Sequence, residues 1–167
     1  MSDPVFSRRS IRKYTAEAVS DADVERLLRA AMAAPSAGNQ QPWCFVVVRE
    51  REPLRAITGF HGYAAMLPEA PVAVVVCAAL QGLKWQEMWN QDCAAATENI
   101  LIEAEILGLG AVWVGIHPSE ERERGVRAVL GIPGHIVPFA IVAVGHPAER
   151  KEPSDRYDPG RVHFERW

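Results

Sequence analysis

The chain has 167 residues, 49% of them hydrophobic and 23% charged, which supports one globular domain and leaves too little chain for a second independent core. A formal charge of −3 and a pI near 6.0 exclude a broad cationic field for nucleic acid or an anionic membrane. No apolar run reaches the ~20 residues that span a bilayer, Met1 to Arg12 lack the apolar stretch of a signal peptide, and Cys44, Cys77 and Cys93 form no C-x-x-C pair, so the expectation is a soluble, cytoplasmic protein with reduced, buried thiols.

Ahead of the first expected helix stands Arg8-Arg9-Ser10-Ile11-Arg12-Lys13, four basic groups and a hydroxyl within six residues. Guanidinium forks match phosphate oxygens and a serine hydroxyl adds a further donor, so this run suits an anion, although a solvated basic arm fits it equally well. Ser20 caps a helix expected from Asp21 to Ala34, with Val24, Leu27, Leu28, Ala31 and Met32 at helical spacing. Pro35-Ser36-Ala37-Gly38-Asn39-Gln40-Gln41-Pro42 breaks the pattern as an ordered loop whose amides can meet a heterocycle, or simply connect helix to strand. Trp43–Val48 and Val72–Cys77 read as buried strands with a short helical region between them.

A long central helix is expected from Trp89 to Leu107, apolar on more than one side as a helix at a subunit interface would be, and stopped by Gly108 and Gly110. Trp85, Met88 and Trp89 ahead of it suit core or dimer packing better than a pocket wall, and Glu103 and Glu105 read as solvated or ion-paired rather than catalytic. A third strand follows from Ala111 to Ile116, then a charged helix opened by Pro118-Ser119 and ending near Leu130, then a fourth strand from Phe139 to Val144. The tail from Pro147 to Trp167 carries Val162, Phe164 and Trp167, which would be wasted in a free coil, so it is expected to dock. His61, His117, His135, His146 and His163 show no metal-ligand spacing; surface or hydrogen-bonded structural roles are expected, and no metal.

Four segments in order, Arg8 to Tyr14, Pro35 to Trp43, Gly108 to Gly115, and Asp155-Arg156-Tyr157 leading to Val162 through Trp167, resemble the nitroreductase family of FMN-dependent oxidoreductases, and the likeness covers nearly the whole chain. The resemblance implies a single α+β domain over 1–167, a mainly antiparallel central sheet flanked by helices, and an intertwined homodimer with FMN at the interface and the tail, about 147–167, docked at the dimer. By the same resemblance Arg8, Ser10 and Arg12 hold the phosphate and neighbouring flavin groups, Arg9 contributes through backbone or side chain, and Arg156 completes the clamp. Pro35, Ser36, Ala37 and Asn39 would approach the flavin from the partner subunit, while Val114 and Gly115 match the strand end near its reactive edge, where a backbone N–H can donate to the hydride-accepting nitrogen.

The activity so implied is ping-pong transfer of hydride from NADH or NADPH through FMN to a nitroaromatic, quinone or similar small-molecule acceptor, with no catalytic side chain required. The absence of a G-x-G-x-x-G segment agrees with nicotinamide as a visiting substrate. Two alternatives stand beside it: specialised flavin chemistry with oxygen or reductive dehalogenation, for which about ten residues between Ala78 and Met88 leave little room to build a lid, and a non-catalytic protein that binds or stores FMN.

Overall fold

The computed structural model describes residues 3–167; Met1 and Ser2, part of the amino-terminal reading above, lie outside the described residues. A one-turn helix, α1 (Pro4–Ser7), comes first, capped by the Asp3 side chain accepting from the Val5 N–H. The basic run therefore follows a helical turn rather than preceding every helix. α2 (Asp21–Met32) is capped by Ser20 and buries Val24, Leu27 and Ala31. It stops two residues before the expected Ala34, because Pro35 bars the α conformation at the residue before it and Ala33 already closes the last turn.

Four strands form one antiparallel sheet in the order β1 (Trp43–Val48), β2 (Val72–Ala79), β4 (Ile136–Gly145), β3 (Gly110–Gly115). β1 has the expected bounds. β4 begins earlier than the expected Phe139, running through Pro138, a residue that lacks a ladder donor; it is accommodated where the β2–β4 register shifts between Val76 and Cys77. α3 (Arg51–Thr58), the central α4 (Trp89–Ile106) and α5 (Glu120–Leu130) complete the mixed architecture.

Alternate side chains of the sheet feed two cores. Val72, Val74, Val76, Ala140, Val142 and Val144 face α2 and α4, burying Leu27, Ala96, Ile100 and Ala104. Ala73, Val75, Cys77, Ile141 and Ala143 face the other way, onto Leu54, Ile57, Leu67 and Val126. A sheet covered on both faces explains why β2 reads as an unbroken apolar run and not as an alternating one. Among the described residues no helix is long and apolar enough to cross a membrane.

Candidate functional site

β3 is an edge strand, and the site is built along its free side. At its start Ser10 forms a parallel bridge with Ala111, and the Ile11 N–H donates to the Ala111 carbonyl at 3.0 Å. The approach is close because residue 110 is glycine: a Cβ there would sit 2.6 Å from Ile11 Cγ2. Ile11 is buried, so in extended backbone its neighbours Ser10 and Arg12 point to the opposite, outward side. Tyr14 pins the far end of the segment, its hydroxyl donating to the Ile11 carbonyl at 2.7 Å; burial raises this phenol well above its ordinary range.

The first part of the tail lies on this same segment. Ala148 N–H donates to the Lys13 carbonyl at 2.9 Å, Lys151 Nζ to the Ser10 carbonyl at 2.7 Å, and the Arg9 guanidinium to the Glu152 carbonyl. Glu149 accepts from the Arg12 N–H at 2.6 Å, and that backbone donor, helped by Lys151, lowers its carboxyl below the usual range. Next along the chain the tail brings up Arg156, which lines a groove of about 570 Å³ together with Arg8, Arg9, Phe6, Ser154 and Tyr157. Three arginines from opposite ends of the sequence thus line one groove. Ser10 and Arg12 are on the same segment but do not line it, and the Arg12 side chain is exposed. Arg8 also reaches Glu98 on α4 at 3.4 Å. Beyond Tyr157 the tail buries none of its side chains against the described residues: Val162, Phe164 and Trp167 are all exposed.

At the other end of β3, Ile116 N–H donates to Phe139 on β4, so the alternation of an antiparallel pair turns both the N–H and the C=O of Gly115 away from β4. The carbonyl accepts from His61 Nε2 at 2.8 Å and Arg122 Nη1 at 3.2 Å. A Cβ at Gly115 would meet nothing within 4 Å, so the strand end is open to close approach. Val114 is buried beside it. Four residue steps of strand separate Ala111 from Gly115, about 14 Å.

The loop with Pro35, Ser36, Ala37 and Asn39 is ordered around Asp92, in the first turn of α4. Asp92 accepts from the Ala37 N–H at 2.9 Å and from Gln40 Nε2 at 2.8 Å, while Ser36 Oγ accepts from the Gln41 N–H at 3.0 Å. Gly38, Asn39 and Gln41 all take positive φ. Within one subunit the structure does not bring this loop to the arginines. Asp92 and Glu105, which accepts from Ser7 Oγ at 2.7 Å, are about 20 Å apart along the helix.

Trp85 is held to the loop through Gln40 and remains 42% exposed, whereas Trp89 stacks edge-on against His117 and Phe139, as packing would have it. Glu103 is ion-paired with Arg26 at 2.5 Å. Among the described residues no group of His, Cys, Asp and Glu gathers as metal ligands. All three cysteines are free; Cys77 and Cys93 are buried and Cys44 half-buried. Sequence reasoning missed the parts played by Asp92 and Arg122, and gave His61 only a generic structural role. For Asp92 there was a signal, the one carboxylate in the first turn of α4.

The sequence profile of the nitroreductase family matches residues 5–60 and 59–146. A relative from Archaeoglobus fulgidus, provisionally named NADH dehydrogenase/NAD(P)H nitroreductase, is 50% identical over 98% of this chain and 96% of its own. The crystal structure of a protein provisionally named NADH oxidase, from Clostridium acetobutylicum, has a TM-score of 0.95 at 46% identity and covers 99% of this chain and 100% of that one. A protein from Desulfovibrio desulfuricans, provisionally named a nitroreductase and solved in complex with FMN, has a TM-score of 0.83 at 31% identity over 98% and 95% of the two chains. The basic segment, the Asp92-ordered loop and the open end of β3 all fall within the matched residues, and the chain belongs to the nitroreductase family.

Proposed function

We propose that the chain is an FMN-dependent oxidoreductase that takes hydride from NADH or NADPH and gives it to a nitroaromatic, quinone or similar acceptor by a ping-pong mechanism, working as a homodimer. The observation that carries this reading is the arrangement along β3: a groove lined by Arg8, Arg9 and Arg156 near its start, and the outward N–H of Gly115 at its end. FMN fits these residues. Its phosphate suits the guanidinium cluster, the ribityl chain suits the span between, and its ring can lie against a strand end that carries no Cβ. FMN is also the group bound in the Desulfovibrio desulfuricans relative, and NAD(P)H appears in the name of the Archaeoglobus fulgidus one.

FMN, when bound, would supply the redox chemistry that links donor and acceptor. The chain's own residues bind and orient. Arg8, Arg9 and Arg156 neutralise the phosphate, with Ser10 and Arg12 on the outward side of the same segment adding donors. Val114 and Gly115 set an outward N–H that would meet the reactive edge. Pro35, Ser36, Ala37 and Asn39 lie too far along α4 to serve the arginines of their own subunit, so they cover the flavin held by the partner, and the exposed apolar end of the tail finds its cover in the dimer.

The test is an absorbance spectrum of the purified protein, with FMN supplied, as anaerobic NADH and then NADPH are added, followed by an acceptor. A flavin bleached by a donor and recoloured by the acceptor is expected. No bound flavin after reconstitution overturns the reading, and flavin that neither donor reduces reassigns the protein to binding FMN without turnover.

A further inference from the structure

His61 is a buried imidazole, 2% exposed, in the turn after α3, where packing alone would be served by an apolar side chain. Both its nitrogens are engaged. Nδ1 lies 3.2 Å from the Tyr63 N–H, which can only donate, so the ring proton belongs on Nε2, and Nε2 donates to the Gly115 carbonyl at 2.8 Å. The same carbonyl receives Arg122 Nη1 at 3.2 Å, from the first turn of α5. The turn and the helix are themselves locked together. A Cβ at residue 125 of α5 would lie 2.6 Å from the Phe60 ring, so glycine there lets the residue next to His61 pack flat on the helix that carries Arg122.

Two elements, the turn after α3 and the first turn of α5, therefore converge on one backbone oxygen at the open end of an edge strand. An edge glycine has no side chain to pack and the widest backbone freedom of any residue, so its peptide orientation has to be imposed from outside. A neutral donor and a guanidinium donor on one carbonyl do that, fixing ψ of Gly115 and, through the short chain behind it, the direction of the Gly115 N–H. The geometry points to His61 and Arg122 as positioning residues that clamp the Gly115 carbonyl and so aim the Gly115 N–H at the reactive edge of the flavin. The inference rests on the proposed function for its flavin, but the clamp is a property of this chain alone.

The test pairs a readout that needs no flavin with one that does. In His61→Leu, which keeps the buried volume and removes the donor, amide exchange across residues 113–117 of the purified protein should accelerate at least about tenfold. In the FMN-loaded protein, reduction at saturating NADH should slow by about 10- to 100-fold, the scale of a misaimed reactive geometry, with the FMN Kd unchanged within about threefold. His61→Gln restores a donor and should recover both exchange protection and rate. Wild-type exchange and rate in His61→Leu, or a glutamine variant no better than leucine, would overturn the proposal. Should His61→Leu fail to fold, Arg122→Met on the half-buried helix face decides. Faster exchange and a slower rate at saturation are expected, whereas a raised donor Kd with an unchanged saturated rate and unchanged exchange would make Arg122 a donor-binding residue and overturn its part. If the unmutated protein takes up no FMN, the proposed function fails while the exchange result still reports the clamp.

Discussion

Gln40 and Asp92, more than fifty positions apart, are joined by a 2.8 Å hydrogen bond from the Gln40 side-chain amide to one carboxylate oxygen, while the other oxygen takes the Ala37 N–H at 2.9 Å. The carboxylate is buried, and these donors are what hold it there. Asp92→Ala should therefore cost about 1.5–3 kcal/mol, seen as a lower Tm, since hydrogen bonds to a charged group are lost and their donors stranded. Because the loop is proposed to cover the partner's flavin, the FMN Kd should rise as well. An unchanged Tm would show that the loop holds its shape without the aspartate.

Glu149 ties the tail to the basic segment through the Arg12 N–H. Its carboxyl is depressed in the folded chain, so the contact contributes fully above the ordinary glutamate value of about 4.3 and is lost as pH falls through the lower folded value. Glu149→Gln should thus lower Tm near neutrality, and the gap to the unmutated protein should close in acid. A gap that stays constant between pH 7 and 3 would mean that the charge is irrelevant.

Arg156 reaches the groove of Arg8 and Arg9 only because the preceding tail residues are pinned on Ser10 and Lys13. Arg156→Ala should raise the FMN Kd by about tenfold, the loss of one charge-assisted phosphate contact, with Tm of the flavin-free protein nearly unchanged. Truncation before Asp155 should do at least as much. Equal flavin occupancy in both variants, measured by the absorbance of the desalted protein, would remove Arg156 from the site.

Cys44 and Cys77 are cross-strand partners in the β1–β2 ladder. Their hydrogen bond stabilises the Cys44 thiolate and brings its pKa down to about 7, while the same bond and burial drive Cys77 up, and burial pushes Cys93 up to about 12. Iodoacetamide at pH 8 should modify Cys44 well before the other two, with a rate that falls about tenfold between pH 8 and 6 as the thiolate protonates. Peptide mapping of the alkylated protein checks the order.

Much of the fold was legible because it rests on local pattern. The β1 bounds, the span of α4 and its stop at Gly108, which takes φ +71°, follow from β-branched runs, helical periodicity and glycine chemistry within short windows. Other features depend on partners that no window contains. Pro138 looked like the limit of a strand until the bulge opposite Cys77 gave it a place. α1 buries no residue and offers no apolar period to detect. The site divides the same way. The basic run and the proline-bracketed loop announced themselves by composition, and Arg156 was named through the family likeness. His61 and Arg122 act on a backbone carbonyl of a glycine, and a main-chain acceptor leaves no trace in the identity of its residue.

Because one strand carries both ends of the site, β3 acts as a gauge. The arginine-bearing segment is registered on Ala111 and the proposed reactive edge on Gly115, so in that reading the distance between anchor and chemistry is counted out in residues of β3 and checked against β4 at every rung. One residue inserted between them would lengthen the span by about 3.4 Å and turn the Gly115 N–H inward to the sheet, out of reach. In the proposed reading β3 therefore cannot change length without parting the arginines from the Gly115 N–H, and an insertion in this strand should abolish flavin reduction.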